Sequence, residues 1–119
     1  MKKAYHLITC NTCQRILKEV EAEKEGFDIQ EIKSRPISEK ELDLLKNKVG
    51  SYEALFNKRA QKYRSLGLNQ LSLSEEDFKK HILSEYTFLK RPIFIVDEEV
   101  FVGNSKKTVE SLKKKLGQL

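Results

Sequence analysis

Tyr5-His6-Leu7-Ile8-Thr9-Cys10-Asn11-Thr12-Cys13-Gln14-Arg15 holds the only two cysteines of the 119-residue chain, and two residues separate them. The run begins as an apolar strand and ends as the first turn of a helical pattern. That junction makes the thiols chemically unusual. The first N–H groups of a helix have no partner inside it, and the macrodipole places partial positive charge at the same end. A cysteine there is stabilised as thiolate, its pKa drawn from about 8.5 into the range of roughly 3.5–7.5. A second thiol one turn on can attack a mixed disulfide or a sulfenic acid formed at the first. C-x-x-C after a strand therefore reads as a redox motif. Two plainer readings compete, half of a zinc site and a pair of small buried apolar residues. Zinc needs two further ligands, and the chain offers only His6 and His81, without the usual spacing.

Working outward, Lys3 to Ile8 reads as a strand. From Asn11 the pattern is helical, with Ile16, Leu17, Val20 and Ala22 inward and Gly26 closing it as a C′ glycine. Phe27 to Ile32 alternates with period two, which predicts a second strand, parallel to the first through a right-handed crossover. After Pro36, Ser38 and Glu41 form a capping box opening a helix that buries Leu42, Leu44, Leu45 and Val49. Residues 52–68 read as one or two short helices carrying Leu55, Phe56, Tyr63 and Leu66. Ser74 and Asp77 open another, with Phe78, Ile82 and Leu83 inward. Strands follow at Ile93–Val96 and Val100–Val102, joined by a tight turn at Asp97-Glu98-Glu99. A last helix from Ser105 to Leu116 buries Val109, Leu112 and Leu116. The order β-α-β, helices, β-β-α predicts an α/β fold: a thioredoxin-like sheet in one domain over residues 1–119, with a helical insertion over about 36–88 before the third strand.

A hydrophobic fraction of 39% suits one modest core. No apolar run approaches the roughly 18–20 residues of a bilayer span. The basic start lacks the apolar stretch of an export signal, which predicts a cytoplasmic setting and reduced thiols. The net charge of +5 comes from 23 basic residues interleaved with 18 acidic ones. Lys113-Lys114-Lys115 reads as cations at a helix C-terminus rather than a nucleic-acid patch. A monomer without direct nucleic-acid or membrane binding is expected.

Pro92 opens the third strand, where a missing N–H is tolerated. Although only about 5–6% of X–Pro bonds are cis, a proline facing C-x-x-C in this fold is expected to be cis. Arg91 before it reads as a partner for thiolate or oxyanion, or as an ordinary solvated arginine. His6 either tunes the thiolate or is simply packed. Arg15 either adds positive potential at the helix start or is solvated. His81 is taken as surface or structural.

These residues resemble a known family. The run from Tyr5 to Arg15 is similar to the active-site segment of the ArsC/Spx family, which covers glutaredoxin-linked arsenate reductases and Spx-like regulators. Leu89-Lys90-Arg91-Pro92-Ile93-Phe94-Ile95 resembles its Arg-Pro strand, and Val102-Gly103 its following Val-Gly. Leu55 to Arg59 with Tyr63 to Leu68 resembles its middle signature. The resemblance spans essentially the whole chain. It implies a thioredoxin-like fold with a helical insertion, and thiol–disulfide chemistry without a bound cofactor. The reductant would be glutathione, glutaredoxin or thioredoxin, acting on a small oxidised or oxyanion substrate.

By that resemblance the catalytic cysteine falls on Cys10, the second cysteine on Cys13 and the histidine on His6. Of three oxyanion-binding arginines one falls on Arg91, while Asn57 and Asn104 stand at the other two; Arg59 lies near in sequence without aligning. Ile8 stands where the family usually has proline. A charge-assisted anion contact contributes about 1.5–3 kcal/mol, so losing two predicts weak arsenate binding and little arsenate reduction. The alternative implied by the resemblance is an Spx-like regulator that contacts RNA polymerase and uses the thiol pair as a switch.

Overall fold

The structure, a computed structural model, describes residues 1–119. In chain order its elements are β1 (Lys2–His6), α1 (Asn11–Glu19), β2 (Asp28–Glu31), α2 (Glu39–Val49), α3 (Gln61–Ser65), α4 (Glu75–Ser84), β3 (Ile93–Val96), β4 (Glu99–Val102) and α5 (Lys106–Lys115). Short 3-10 turns occupy Glu53–Leu55, Leu68–Gln70 and Tyr86–Phe88. The chain forms two compact units: Met1–Arg35 with Arg91–Leu119, and Pro36–Lys90.

The first unit is a four-stranded mixed sheet in the order β2-β1-β3-β4. β1 is parallel to β2 and antiparallel to β3, and β3 is antiparallel to β4. Parallel neighbours need a crossover, and α1 provides it, as the sequence predicts. Ala4, Phe94, Val96 and Phe101 from the strands pack with Ile16 and Val20 of the α1 segment and with Val109 and Leu112 of α5. Phe27 meets Phe94 edge-on at 5.5 Å between ring centres. Every residue of β3 is buried. In the β3–β4 hairpin Val96 pairs with Glu99, so β4 starts one residue earlier than expected and the turn is only Asp97-Glu98. Asp97 takes φ 54°, a conformation that a short polar side chain tolerates.

One boundary is corrected. α1 ends at Glu19, well before Gly26. Glu21 adopts φ 54°, its N–H returns to the Lys18 carbonyl at 3.1 Å and that of Ala22 to the Leu17 carbonyl at 3.0 Å. This is a Schellman closure with glutamate in the left-handed seat that glycine usually takes. Gly26, at φ 84°, serves a separate turn into β2.

The second unit has no sheet, only an isolated bridge between Phe56 and Leu89. The expected capping boxes are both present. Ser38 Oγ accepts the Glu41 N–H at 3.1 Å while Glu41 accepts the Ser38 N–H at 3.0 Å. Ser74 and Asp77 do the same at 3.2 and 2.9 Å. α2 stops at Gly50, φ 106°. Two inward assignments fail. Leu44 is 43% exposed, because the buried stripe of α2 runs through Leu42 and Leu45, three apart, and Leu44 falls off it. Leu66 is 60% exposed, because α3 has only five residues and buries none of them.

Candidate active site

β1 ends at His6, and four residues, Leu7 to Cys10, turn the chain into α1. Cys10 is the N-cap, extended at φ −90° and ψ 104°. Its own N–H bonds the Leu7 carbonyl at 3.0 Å. Its sulfur accepts the Cys13 N–H at 3.3 Å, the place that a hydroxyl or carboxylate oxygen fills at most helix starts. Burial pushes the Cys10 thiol up. The N–H and S–H of Cys13, the positive charge of Arg91 and the N–H of Thr12 outweigh it and hold the pKa below the ordinary thiol value.

Cys13 differs in every respect. It is 0% exposed, and burial pushes its thiol up to about 12. The N–H of Leu7 and the charge of Arg91 oppose that rise, while the neighbouring Cys10 thiolate reinforces it. The result is one half-exposed sulfur that ionises easily and one buried sulfur that holds its proton and donates it to the first.

The Arg91–Pro92 bond is cis, as expected. The Pro92 carbonyl accepts the N–H of Gly103 at 2.9 Å, which ties the start of β3 to the end of β4. Arg91 acts through its charge on both thiols, and its Nε is buried with no acceptor in hydrogen-bonding distance. His6 is buried, and its Nδ1 lies 3.0 Å from Gln14 Nε2, which also bonds the Leu7 carbonyl at 3.0 Å. With the amide donating to both, His6 Nδ1 accepts and the ring carries its proton on Nε2. Burial lowers the His6 pKa against a weaker opposing push from Glu31, so the ring is neutral near pH 7. It braces the loop through Gln14.

Arg15 is exposed and pairs with Glu19 at 3.5 Å. It and Asn104 line one open cavity of about 490 Å³, with Lys106, Val109 and Lys113 among its other walls. Asn57 and Arg59 belong to the second unit. There the Asn57 side chain donates to the Thr87 carbonyl at 3.2 Å and accepts the Arg59 N–H at 3.0 Å, and the Arg59 side chain is exposed. His81 is half-buried against Phe88, ring centres 5.7 Å apart. No group of three or more His, Cys, Asp or Glu side chains gathers to hold a metal, and no helix is long and apolar enough to cross a membrane.

Two residues that shape the site escaped the sequence reading. Gln14 lies one turn past Cys10, so its spacing was a usable signal. Glu31 ends β2, and nothing local in the sequence marks it.

A strand, a thiolate-stabilising helix start with a buried second thiol, and a cis proline beside an arginine define a thioredoxin-like thiol protein. Residues 5–112 match the ArsC family, and the chain belongs to it. A possible arsenate reductase from Streptococcus mutans UA159 is 25% identical, with 95% of this chain and 98% of that one covered and a TM-score of 0.71. An arsenate reductase from Vibrio cholerae is 21% identical over 94% and 95%, with a TM-score of 0.72. A Staphylococcus aureus COL protein known from its solution structure is 24% identical over 93% and 97%, with a TM-score of 0.76. These likenesses bear out the α/β fold expected from the sequence. No functionally curated protein matches the chain at a significant level.

Proposed function

We propose that this ArsC-family protein is a cytoplasmic thiol–disulfide oxidoreductase, with Cys10 as nucleophile, Cys13 as resolving thiol and Arg91 as the charge that steadies the thiolate. The observation that carries the reading is the opposite displacement of the two thiols, Cys10 below its ordinary value and Cys13 up to about 12. In the first step the Cys10 thiolate attacks a substrate disulfide, forming a mixed disulfide and releasing one substrate thiolate, which takes a proton. Cys10 then no longer offers an anionic acceptor to the Cys13 S–H. Two of the influences that raise Cys13 disappear, while the Leu7 N–H and Arg91 still favour its thiolate. Cys13 loses its proton and attacks Cys10 Sγ, expelling the second substrate thiolate and closing the Cys10–Cys13 disulfide. Two electrons have passed to substrate. A dithiol protein of the thioredoxin or glutaredoxin class, or two molecules of glutathione, restores the pair.

Arsenate is not the substrate this reading assigns. Asn57 carries no charge and its amide is engaged by Thr87 and Arg59, and Asn104 is likewise neutral, so neither replaces a guanidinium. The test is rapid alkylation with iodoacetamide across pH, followed by disulfide-reduction and arsenate-reduction assays. Expected are a Cys10 profile with its midpoint below the free value of about 8.5, no comparable reaction at Cys13, turnover of a small disulfide and negligible arsenate turnover. Equal rates at the two thiols would remove the nucleophile assignment. Robust arsenate turnover would show that two guanidiniums are dispensable.

A further inference from the structure

Ile8 lies in the loop between β1 and Cys10, and its side chain is 63% exposed, so packing does not hold it in place. Its backbone is held. The Ile8 N–H donates to Glu31 Oε2 at 3.1 Å. The other carboxylate oxygen, Oε1, accepts the Lys33 N–H at 3.1 Å and the N–H and hydroxyl of Ser34, each at 2.8 Å. Both oxygens are thus in use, and they join two segments distant in sequence.

The sheet delivers Glu31 to this position. His6 and Glu31 are register partners across β1 and β2, and the Ile32 N–H bonds the His6 carbonyl at 2.9 Å. On the far side of Ile8, Leu7 touches the chemistry at both ends. Its carbonyl accepts the Cys10 N–H and the Gln14 amide at 3.0 Å each, and its N–H acts on the Cys13 sulfur.

We infer that Glu31 is a positioning residue for the reactive loop: by gripping the Ile8 N–H it fixes Leu7, and through Leu7 the placement of both sulfurs. The inference rests on the reading of Cys10 as nucleophile. It also has a sign of its own. Glu31 has the same sign of charge as the Cys10 thiolate, so through its field alone its removal would favour the thiolate and speed alkylation. Through loss of positioning, removal slows it. The two effects point in opposite directions, and the experiment reads which one governs.

The measurement is the rate of Cys10 alkylation by iodoacetamide against pH for the wild type, Glu31→Ala, Glu31→Gln, Glu31→Asp, Ile8→Pro and Glu31→Ala in the Ile8→Pro background. Glu31→Ala is expected to lower the rate at neutral pH by about three- to tenfold, with the pH profile moved toward the ordinary thiol value. Glu31→Gln, which keeps an acceptor oxygen of the same reach, is expected to recover part of the loss. Glu31→Asp, whose carboxylate is one methylene short of the Ile8 N–H, should lose part of the rate while keeping the charge, and it decides the matter if Glu31→Ala does not fold. Ile8→Pro, which removes the donor but fixes the loop backbone itself, should make the rate insensitive to Glu31→Ala. A Glu31→Ala or Glu31→Asp rate equal to or above wild type, or a Glu31→Ala loss undiminished in the Ile8→Pro background, overturns the inference. An ordinary pH profile in the wild type itself refutes the nucleophile assignment instead, which keeps the two failures apart.

Discussion

The two units of this molecule use hydrogen-bonding side chains for different ends. In the first, a sheet supplies the backbone pairing and α1 and α5 supply the apolar cover. Its polar side chains are therefore available to hold loops: Gln14 and Glu31 converge on the residues before Cys10, and Gln118 reaches the Val20 carbonyl at 2.7 Å and Glu25 at 3.0 Å. The second unit lacks a sheet and makes its polar groups part of its frame. Tyr52 bonds Asp43, Lys79 bridges Asp43 and Glu39, and Glu75 takes the N–H groups of Tyr52 and Glu53. The lesson is that a pre-paired backbone leaves polar side chains free for a reactive site, whereas a helical unit of short elements uses them to stay folded.

The sharpest way to break that comparison is to attack what remains of the second unit's apolar core. Phe56 is fully buried and meets Phe78 at 5.0 Å, Phe88 at 4.9 Å and Tyr63 at 5.6 Å between ring centres. These rings come from separate segments and pack them against one another. Phe56→Ala is expected to cost about 3–5 kcal/mol, read from the urea midpoint. A loss below about 1.5 kcal/mol would mean that the polar frame carries the unit without its rings.

The same contrast explains what the sequence disclosed. Strands and long helices announce themselves by period, so β1, β2, β3 and α5 were legible, and the cysteine pair was legible because its spacing is local. The end of α1 was not, since Glu21 closes it in a conformation that composition does not predict. Leu44 was misplaced because α2 carries more leucines than its buried stripe through Leu42 and Leu45 can take, and Leu66 because the five residues of α3 give too few turns to fix a buried face. Glu31 was invisible for another reason. Its role depends on the β1–β2 register, which brings it beside a residue 23 positions away.

A second test sets one ionic contact of each unit against the other. Burial raises the Glu31 carboxyl, but the donors of Ser34, Ile8 and Lys33 outweigh it, and its pKa is lowered. Glu85 is lowered first by Lys62, an exposed partner. A carboxyl depressed on folding contributes stability above its unfolded value, about 4.3, and that contribution is lost as pH falls through the folded value. Both contributions should therefore fade in acid, but salt should separate them. Lys62→Ala is expected to cost little, as the loss of an exposed ion pair does, and that small effect should largely disappear in 1 M sodium chloride, where the screening length is about 3 Å. Glu31→Ala should keep its cost in that salt, because neutral N–H donors are not screened. Equal salt sensitivity would show that the Glu31 contacts act mainly as charge.

The last test concerns the helix starts. Ser38 and Ser74 cap α2 and α4 with hydroxyls and reciprocal carboxylates, whereas α1 is capped by the sulfur of Cys10. A thiol is a weak acceptor when neutral, and a hydroxyl is among the best caps. The Ser105 hydroxyl caps α5 in the first unit as well, so the sulfur cap of α1 is the exception. If hydroxyl caps serve stability and this one serves chemistry, the substitutions should diverge. Ser38→Ala and Ser74→Ala should each cost about 1 kcal/mol. Cys10→Ser should change stability by less than about 0.5 kcal/mol near pH 7, because the hydroxyl takes over the Cys13 N–H while the favourable thiolate contacts are lost. It should nonetheless abolish disulfide reduction, since an alcohol of ordinary pKa does not attack a disulfide. Denaturation of the three variants beside the wild type, with an activity assay on Cys10→Ser, measures the divergence directly. A Cys10→Ser protein destabilised as much as Ser38→Ala would mean that the sulfur is part of the frame as well as the reaction, and the division between the two units would no longer hold at the residue that defines it.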